Sequence, residues 1–274
     1  MTRVSIIGLG WFGMELARSL KGEYEIIGSK RLVPDKHDED LQIFPLDIND
    51  SDWETQIQNL LQADVIVLNI PPSGTHSKDK FVAKSKRVIE MAFESGVEHF
   101  IFISSTGVFS NNRDVVDEKS IPDPETDNGR CLVEIESYLS ERSFTYKHII
   151  RPGGLVGGKR HPIIYLAGRK NVSGRFHPVN LVHREDLVDL TQAVIQTKPQ
   201  QFILHAVSPE HPEKEAYYTK AARYFQLAAP EFDEDDSTGK KVLSQLSSNC
   251  LDFYYHFQSP MEMLSSIDRS ELSK

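Results

Sequence analysis

The stretch Val4-Ser5-Ile6-Ile7-Gly8-Leu9-Gly10-Trp11-Phe12-Gly13 decides the fold. A short apolar run leads directly into Gly-x-Gly-x-x-Gly, and Met14 to Leu20 read as the helix that follows. That strand–turn–helix order is the context in which the pattern signals a dinucleotide site. Gly8 permits the tight turn, Gly10 lets the backbone come close to a pyrophosphate, and Gly13 lets the helix lie against the strand. The open N–H groups and partial positive charge of the helix start then favour phosphates, with Trp11 and Phe12 at the contact.

Outward from this motif, strands and helices alternate. Residues 24–29, 41–46, 65–70, 99–104 and 146–151 read as strands, and 77–95 and 128–141 as helices. The continuous apolar run Val65-Ile66-Val67-Leu68-Asn69-Ile70 suits a parallel strand buried on both faces. Pro45 marks a strand end or an edge, and Ser51 and Glu54 sit at capping-box spacing. The alternation predicts an α/β fold, a doubly wound parallel sheet of the NAD(P)-binding Rossmann type. Beyond 151 the pattern loosens into a Gly-bearing loop region, with 179–182 expected to return to the sheet. Residues 184–197 and 212–226 read as helices and 202–207 as a strand. The expected division is a Rossmann domain over 1–151 plus parts of 179–207, with a small substrate-side cap from 152–178 and 208–274.

With 274 residues, 39% hydrophobic content and a net charge of −9, the chain has an ordinary globular composition and lacks a general basic face. That charge argues against nucleic acid or a membrane surface as partner and leaves a small-molecule substrate as the expectation. Cys131 and Cys250 have no partner at metal-ligand or redox-motif spacing, so no metal site is expected, and they read as reduced thiols. No apolar run approaches the roughly 18 residues of a spanning helix. The first strand begins at residue 2 or 3, which leaves no room for a signal peptide. A cytoplasmic protein is the expectation. The acidic run Asp233 to Asp236 reads as a solvated loop, and Ser237-Thr238-Gly239-Lys240-Lys241 as a basic cap loop.

The end of the second strand sets cofactor choice, because an NAD site places Asp or Glu there for the ribose 2′-hydroxyl. Here it reads Gly28-Ser29-Lys30-Arg31. Ser29 can donate to a 2′-phosphate that Lys30 or Arg31 neutralises, so NADP is expected over NAD. Asp47 and Ile48 after the third strand, and Ile70, Pro71, Pro72 and Ser73 after the fourth, lie at the carboxyl edge where open α/β sheets bind ligands. They read as an adenine wall with Asp47 as acceptor.

Phe100-Ile101-Phe102-Ile103-Ser104-Ser105-Thr106-Gly107-Val108-Phe109 resembles the fifth strand and Ser-Ser-x-x-Val-Tyr-Gly segment of extended short-chain dehydrogenases/reductases, the NAD-dependent epimerase/dehydratase group. His148 to Gly153 resembles their sixth strand, with Pro152 and Gly153 starting the loop over the nicotinamide. Asn180 to Leu187 is similar to their His-x-x-Asp-Leu segment. The likeness is nearest to the atypical bacterial YeeZ-like branch, through Asn128-Gly129-Arg130, Gly154-Leu155-Val156-Gly157, Arg160-His161-Pro162 and Val179 to His183. It implies an oxidoreductase or epimerase-like enzyme on a small molecule, a sugar nucleotide being the family's common substrate.

The family's proton transfer uses a Tyr-x-x-x-Lys pair, in which the lysine lowers the phenol's pKa. This chain departs from it. Alignment through Glu134 puts Thr126 at the tyrosine and Arg130 at the lysine, and no tyrosine occurs from Ser104 to Ser137. Tyr138 and Arg142 have the right spacing, but lie about 18 Å too far along the helix at about 1.5 Å per residue. An aliphatic hydroxyl is too weak an acid to stand in. Ser105, Thr106 and Arg130 remain as candidates to orient substrate or ribose, with His161 as the titrating group and Arg160, His161 and His183 on the substrate side. Two functions stay open: an NADP-dependent oxidoreductase or epimerase with a rebuilt relay, and a non-catalytic NADP(H) sensor. The lysines along the 77–95 helix point to a monomer or weak homodimer.

Overall fold

In the computed structural model, residues 1–33, 41–72, 77–268 and 272 are described. The alternation read from the sequence is present as β1 (Arg3–Ile7), α1 (Trp11–Leu20), β2 (Glu25–Lys30), β3 (Gln42–Pro45), α2 (Trp53–Gln56), β4 (Val65–Leu68), α3 (Lys78–Glu94) and β5 (His99–Ile103). A short β6 (Val115–Val116) precedes α4 (Asp127–Ser140) and β7 (Tyr146–Pro152). Then come β8 (Gly154–Val156), α5 (Ile163–Leu166), β9 (Leu181–His183), α6 (Arg184–Thr197), β10 (Ile203–Ala206) and α7 (Lys214–Phe225). β11 (Lys241–Val242), α8 (Gln245–Leu251) and α9 (Pro260–Met263) complete the chain.

Seven strands form one sheet in the order β10-β7-β5-β4-β1-β2-β3, every pairing parallel. β4 is apolar throughout, and β5 is apolar after its buried His99, because both faces are covered. On one face, Phe81, Val88 and Ile89 of α3 and Leu132, Ile135 and Leu139 of α4 pack on the sheet. On the other, Leu16 and Leu20 of α1 meet Leu187, Leu190 and Val194 of α6. A third apolar cluster lies in the cap, around Tyr217, Ala221 and Phe225 of α7. Pro45 closes the edge strand β3, where a missing N–H costs no ladder bond. At the opposite edge, two outward N–H groups at the end of β10 are already taken. His205 N–H donates to Ser247 Oγ (2.7 Å) and Val207 N–H to the Tyr255 hydroxyl (3.2 Å), which blocks further strand pairing.

Two local expectations differ. The Ser51–Glu54 capping box does not form: the N-cap of α2 is Asp52, without a side-chain hydrogen bond, and the helix is a single turn. The 179–182 segment does not rejoin the main sheet; Leu181–His183 pairs with Gly154–Val156 as a separate two-stranded ribbon. Residues 34–40, between the second and third strands, and Ser73 lie outside the described residues.

Candidate functional site

The fingerprint turn is built by close contacts that only glycine allows. At Gly8, φ is +107° and a Cβ would fall 2.4 Å from the Asn69 carbonyl oxygen; at Gly13 it would fall 2.3 Å from the carbonyl of Gly8. Gly10 differs, because nothing lies within 4 Å of its Cβ position. Its missing side chain leaves room on the ligand side, and it caps α1 without a side-chain acceptor, so the first-turn N–H groups stay open. This cradle fits a dinucleotide pyrophosphate.

Ser29 supports the turn. It is buried, its hydroxyl accepts from Gly8 N–H at 3.1 Å, and its carbonyl accepts from Leu9 N–H at 2.7 Å. The hydroxyl keeps its own hydrogen to donate, Ser29 borders the cleft at this edge of the sheet, and half-buried Lys30 and exposed Arg31 stand at the rim. A cleft of about 920 Å³ runs from Gly8 and Gly10 past Ser29, Lys30 and Arg31 to Asp47, Ile48, Ile70 and Pro71. No carboxylate ends β2, but Asp47 borders this cleft after β3. Its Oδ1 already accepts from the Asn49 N–H and amide at 2.9 Å each.

A second cleft, about 280 Å³, adjoins at Asn69 and Pro71. Phe12, Ser104, Ser105, Asn128, Leu132 and Pro152 contribute to its walls. Asn69, not anticipated from sequence, borders both clefts and donates its side-chain amide to the Gly8 carbonyl at 3.1 Å. Ser104 donates to Glu136 at 2.5 Å, and the Ser105 hydroxyl accepts from Gly107 N–H at 3.0 Å. Among the described residues that form this wall there is no Asp, Glu, His, Lys, Arg, Cys or Tyr.

The register of α4 corrects the expected correspondence. Thr126 is the N-cap, accepting from Gly129 N–H at 3.1 Å. Arg130 turns away onto the carbonyls of Pro124 and Glu125 and the carboxylate of Asp127. Asn128 and Leu132, four residues apart on one face, border the cleft instead. The acid that fixes this register is Glu136, buried on α4 against Arg151, not the exposed Glu134. The pair facing the cleft is thus an amide and an alkyl group.

Both candidate histidines serve the fold. His161 is buried in the cap; its Nδ1 accepts from Ile163 N–H and its Nε2 meets the Tyr217 hydroxyl at 2.8 Å. His183 caps α6 by accepting from Glu185 N–H, and its Nε2 contacts Ser266 at 2.9 Å. Burial pushes each imidazole down to about 4, so both are neutral near pH 7. Neither lines the cleft. Gly153 does not line it either: its Cβ would strike the Asn180 carbonyl at 2.7 Å, a contact between chain segments. Thr106 is buried, with its carbonyl accepting from Lys240. Lys240, from the basic loop 237–241, is held between the carbonyls of Thr106 and Phe109 and straps the Ser105 turn to the cap.

A Rossmann-type protein with a carboxyl-edge cleft is the class that this geometry defines, and the chain belongs to the NAD-dependent epimerase/dehydratase family. The family's model matches residues 4–139. Protein YeeZ of Escherichia coli strain K12 is 31% identical over 275 residues, covering 96% of this chain and 99% of that one. Among solved structures, UDP-glucuronic acid 4-epimerase from Bacillus cereus in complex with NAD superposes with a TM-score of 0.78 at 14% identity, covering 98% of each chain. WbmG of Bordetella bronchiseptica in complex with NAD gives 0.79 at 13% identity, covering 97% of this chain and 92% of that one. Among the described residues, no helix is long and apolar enough to cross a membrane, and no cluster of His, Cys, Asp or Glu is arranged to hold a metal.

Proposed function

We propose that the protein binds NADP(H) along the carboxyl edge of its sheet and acts by that binding, without a side-chain proton relay. When bound, the nicotinamide supplies hydride chemistry at its ring. Gly10 and the start of α1 would take the pyrophosphate, Lys30 and Arg31 a 2′-phosphate, and the Ile48, Ile70 and Pro71 wall the adenine. The cleft of Ser105, Asn128, Leu132 and Pro152 would take the nicotinamide.

The observation that carries the reading is the replacement of a titrating pair by Asn128 and Leu132 in a wall with no ionisable side chain among the described residues. His161 drops out as a substitute acid because it is sealed in the cap. A reductase reading keeps one support: Ser105 and Asn128 share the wall and offer neutral hydrogen bonds to a carbonyl oxygen. It would draw its proton from solvent.

The test is titration with NADPH and NADH, followed by nicotinamide fluorescence and repeated with Arg31→Ala. NADPH should bind more tightly, and the variant should lose roughly tenfold or more, the worth of one charge-assisted phosphate contact. Equal affinity for the two cofactors in the wild type overturns the NADP assignment. Steady NADPH oxidation with any member of a panel of sugar nucleotides, ketones and aldehydes overturns the binding-only reading in favour of the reductase.

A further inference from the structure

Two guanidinium groups converge on the first residue of α1. Arg184 lies 4.8 Å and Arg160 5.4 Å from the centroid of the Trp11 ring, within the range of cation–π attraction. They arrive from separate elements: Arg160 from the Gly157–Arg160 turn after β8, and Arg184 from the first turn of α6. Stacking uses the face of a guanidinium and leaves its N–H edge free, which is the edge that grips phosphate.

That edge is little used here. Among the described residues, nothing accepts a hydrogen bond from the side chain of Arg160, which is exposed. Arg184 is ion-paired through Nη2 with Glu15 at 3.4 Å, and its Nε is buried with no partner among the described residues. Trp11 directly follows Gly10, the residue with open space on its ligand side. The pair stands out in a chain whose net charge is −9.

We propose that Arg160 and Arg184, oriented by the indole of Trp11, form a phosphate clamp for the diphosphate of a bound nucleotide. The proposal rests on the dinucleotide reading, since the fingerprint turn sets where that diphosphate lies. The clamp gives the cap a direct hold on the ligand, because the Arg160 turn belongs to the segment that leaves the main sheet after β7. Trp11 supplies orientation, and the two arginines supply charge.

Calorimetric titrations of the full chain with NADPH, with inorganic pyrophosphate and with adenosine 2′-monophosphate test this. The monophosphate carries the adenosine end without a diphosphate. Arg160→Ala and Arg184→Ala should each weaken NADPH and pyrophosphate by about tenfold and leave the monophosphate unchanged. Trp11→Leu, which keeps both charges, should weaken NADPH by less. If either arginine variant binds NADPH as the wild type does, or loses the monophosphate equally, the clamp is overturned. A wild type that binds pyrophosphate through Arg160 and Arg184 but ignores NADPH would keep the clamp and sink the dinucleotide reading. Binding of neither would sink both.

Discussion

Glu136 and Arg151 meet as a two-pronged ion pair directly behind the cleft that Ser104, Leu132 and Pro152 border. Nε donates to Oε1 at 3.0 Å and Nη2 to Oε2 at 2.6 Å, with the side chains 5% and 1% exposed. Oε1 also accepts from Ser104 at 2.5 Å, and the Arg151 guanidinium lies 5.2 Å from the Phe109 ring centroid. The pair therefore joins the ends of β5 and β7 to α4, three elements that carry cleft residues. Two desolvated charges are worth little against apolar replacements, but removal of one partner strands the other.

Glu136→Gln should accordingly destabilise the protein by about 3–5 kcal/mol, whereas Ser104→Ala should cost about 1 kcal/mol. Urea denaturation midpoints measure both. A Glu136→Gln midpoint equal to that of the wild type would mean that the charge on Glu136 contributes nothing to the fold.

The glycines of the fingerprint should separate folding from binding. Gly13→Ala forces a Cβ to within 2.3 Å of a backbone oxygen, so the turn must distort and the thermal midpoint should fall by several degrees. Gly10→Ala meets nothing within 4 Å in the free protein, so that midpoint should fall much less, by no more than the N-cap preference for Gly over Ala. It should nonetheless weaken NADPH at least tenfold, because the methyl fills space kept for the pyrophosphate. A Gly10→Ala protein that binds normally would remove the turn from the site.

The fingerprint was legible because all its constraints are local: the spacing of Gly8, Gly10 and Gly13, set between an apolar run and a helix, implies the turn. The parallel sheet was legible for the same reason, since runs such as Val65 to Leu68 announce burial on both faces. The α4 register was not. Glu134 and Glu136 are both acids in the same helix, and only Arg151, fifteen residues further on, reveals which one turns inward. His161 and His183 looked like titrating groups because a sequence shows neither burial nor the partners Tyr217 and Ser266, 56 and 83 residues away. Arg184 passed unnoticed because its stacking on Trp11 depends on how α6 packs against α1.

Acid should unfold this protein readily, and buried imidazoles are the reason. Burial pushes His99 down to about 3 and His161, His183 and His205 to about 4. The unfolded chain takes up these protons near pH 6.5, while the folded chain refuses them until about pH 4. Stability is thus fully present above pH 6.5 and lost as pH falls to 4, by about 1.4 kcal/mol per pH unit for each proton. Asp186 acts in the opposite sense: burial raises its carboxyl to about 6, so its protonation favours the fold as pH falls below that value. Four protons outweigh one. Unfolding free energies measured from pH 7.5 to 4.5 should fall steeply below 6.5, and a flat profile would contradict the burial of these four rings.

The assignment of Asn128 and Leu132 to the cleft-facing positions can be tested by installing the missing pair. In Asn128→Tyr with Leu132→Lys, the ammonium would sit one helical turn from the phenol inside a partly apolar wall. A neighbouring cation favours the phenolate, so the new tyrosine should ionise about 1–2 units below its usual value near 10. The difference absorbance at 295 nm between single and double variants reads that shift without any assumption about substrate. Thr126→Tyr with Arg130→Lys is the control for the alternative register. It replaces the α4 cap and puts the lysine on the outer face, so its tyrosine should titrate normally while stability falls by about 1 kcal/mol. A depressed tyrosine in the control, or none in the Asn128 variant, would return the helix to the register set by Glu134 and place Arg130 back in the cleft.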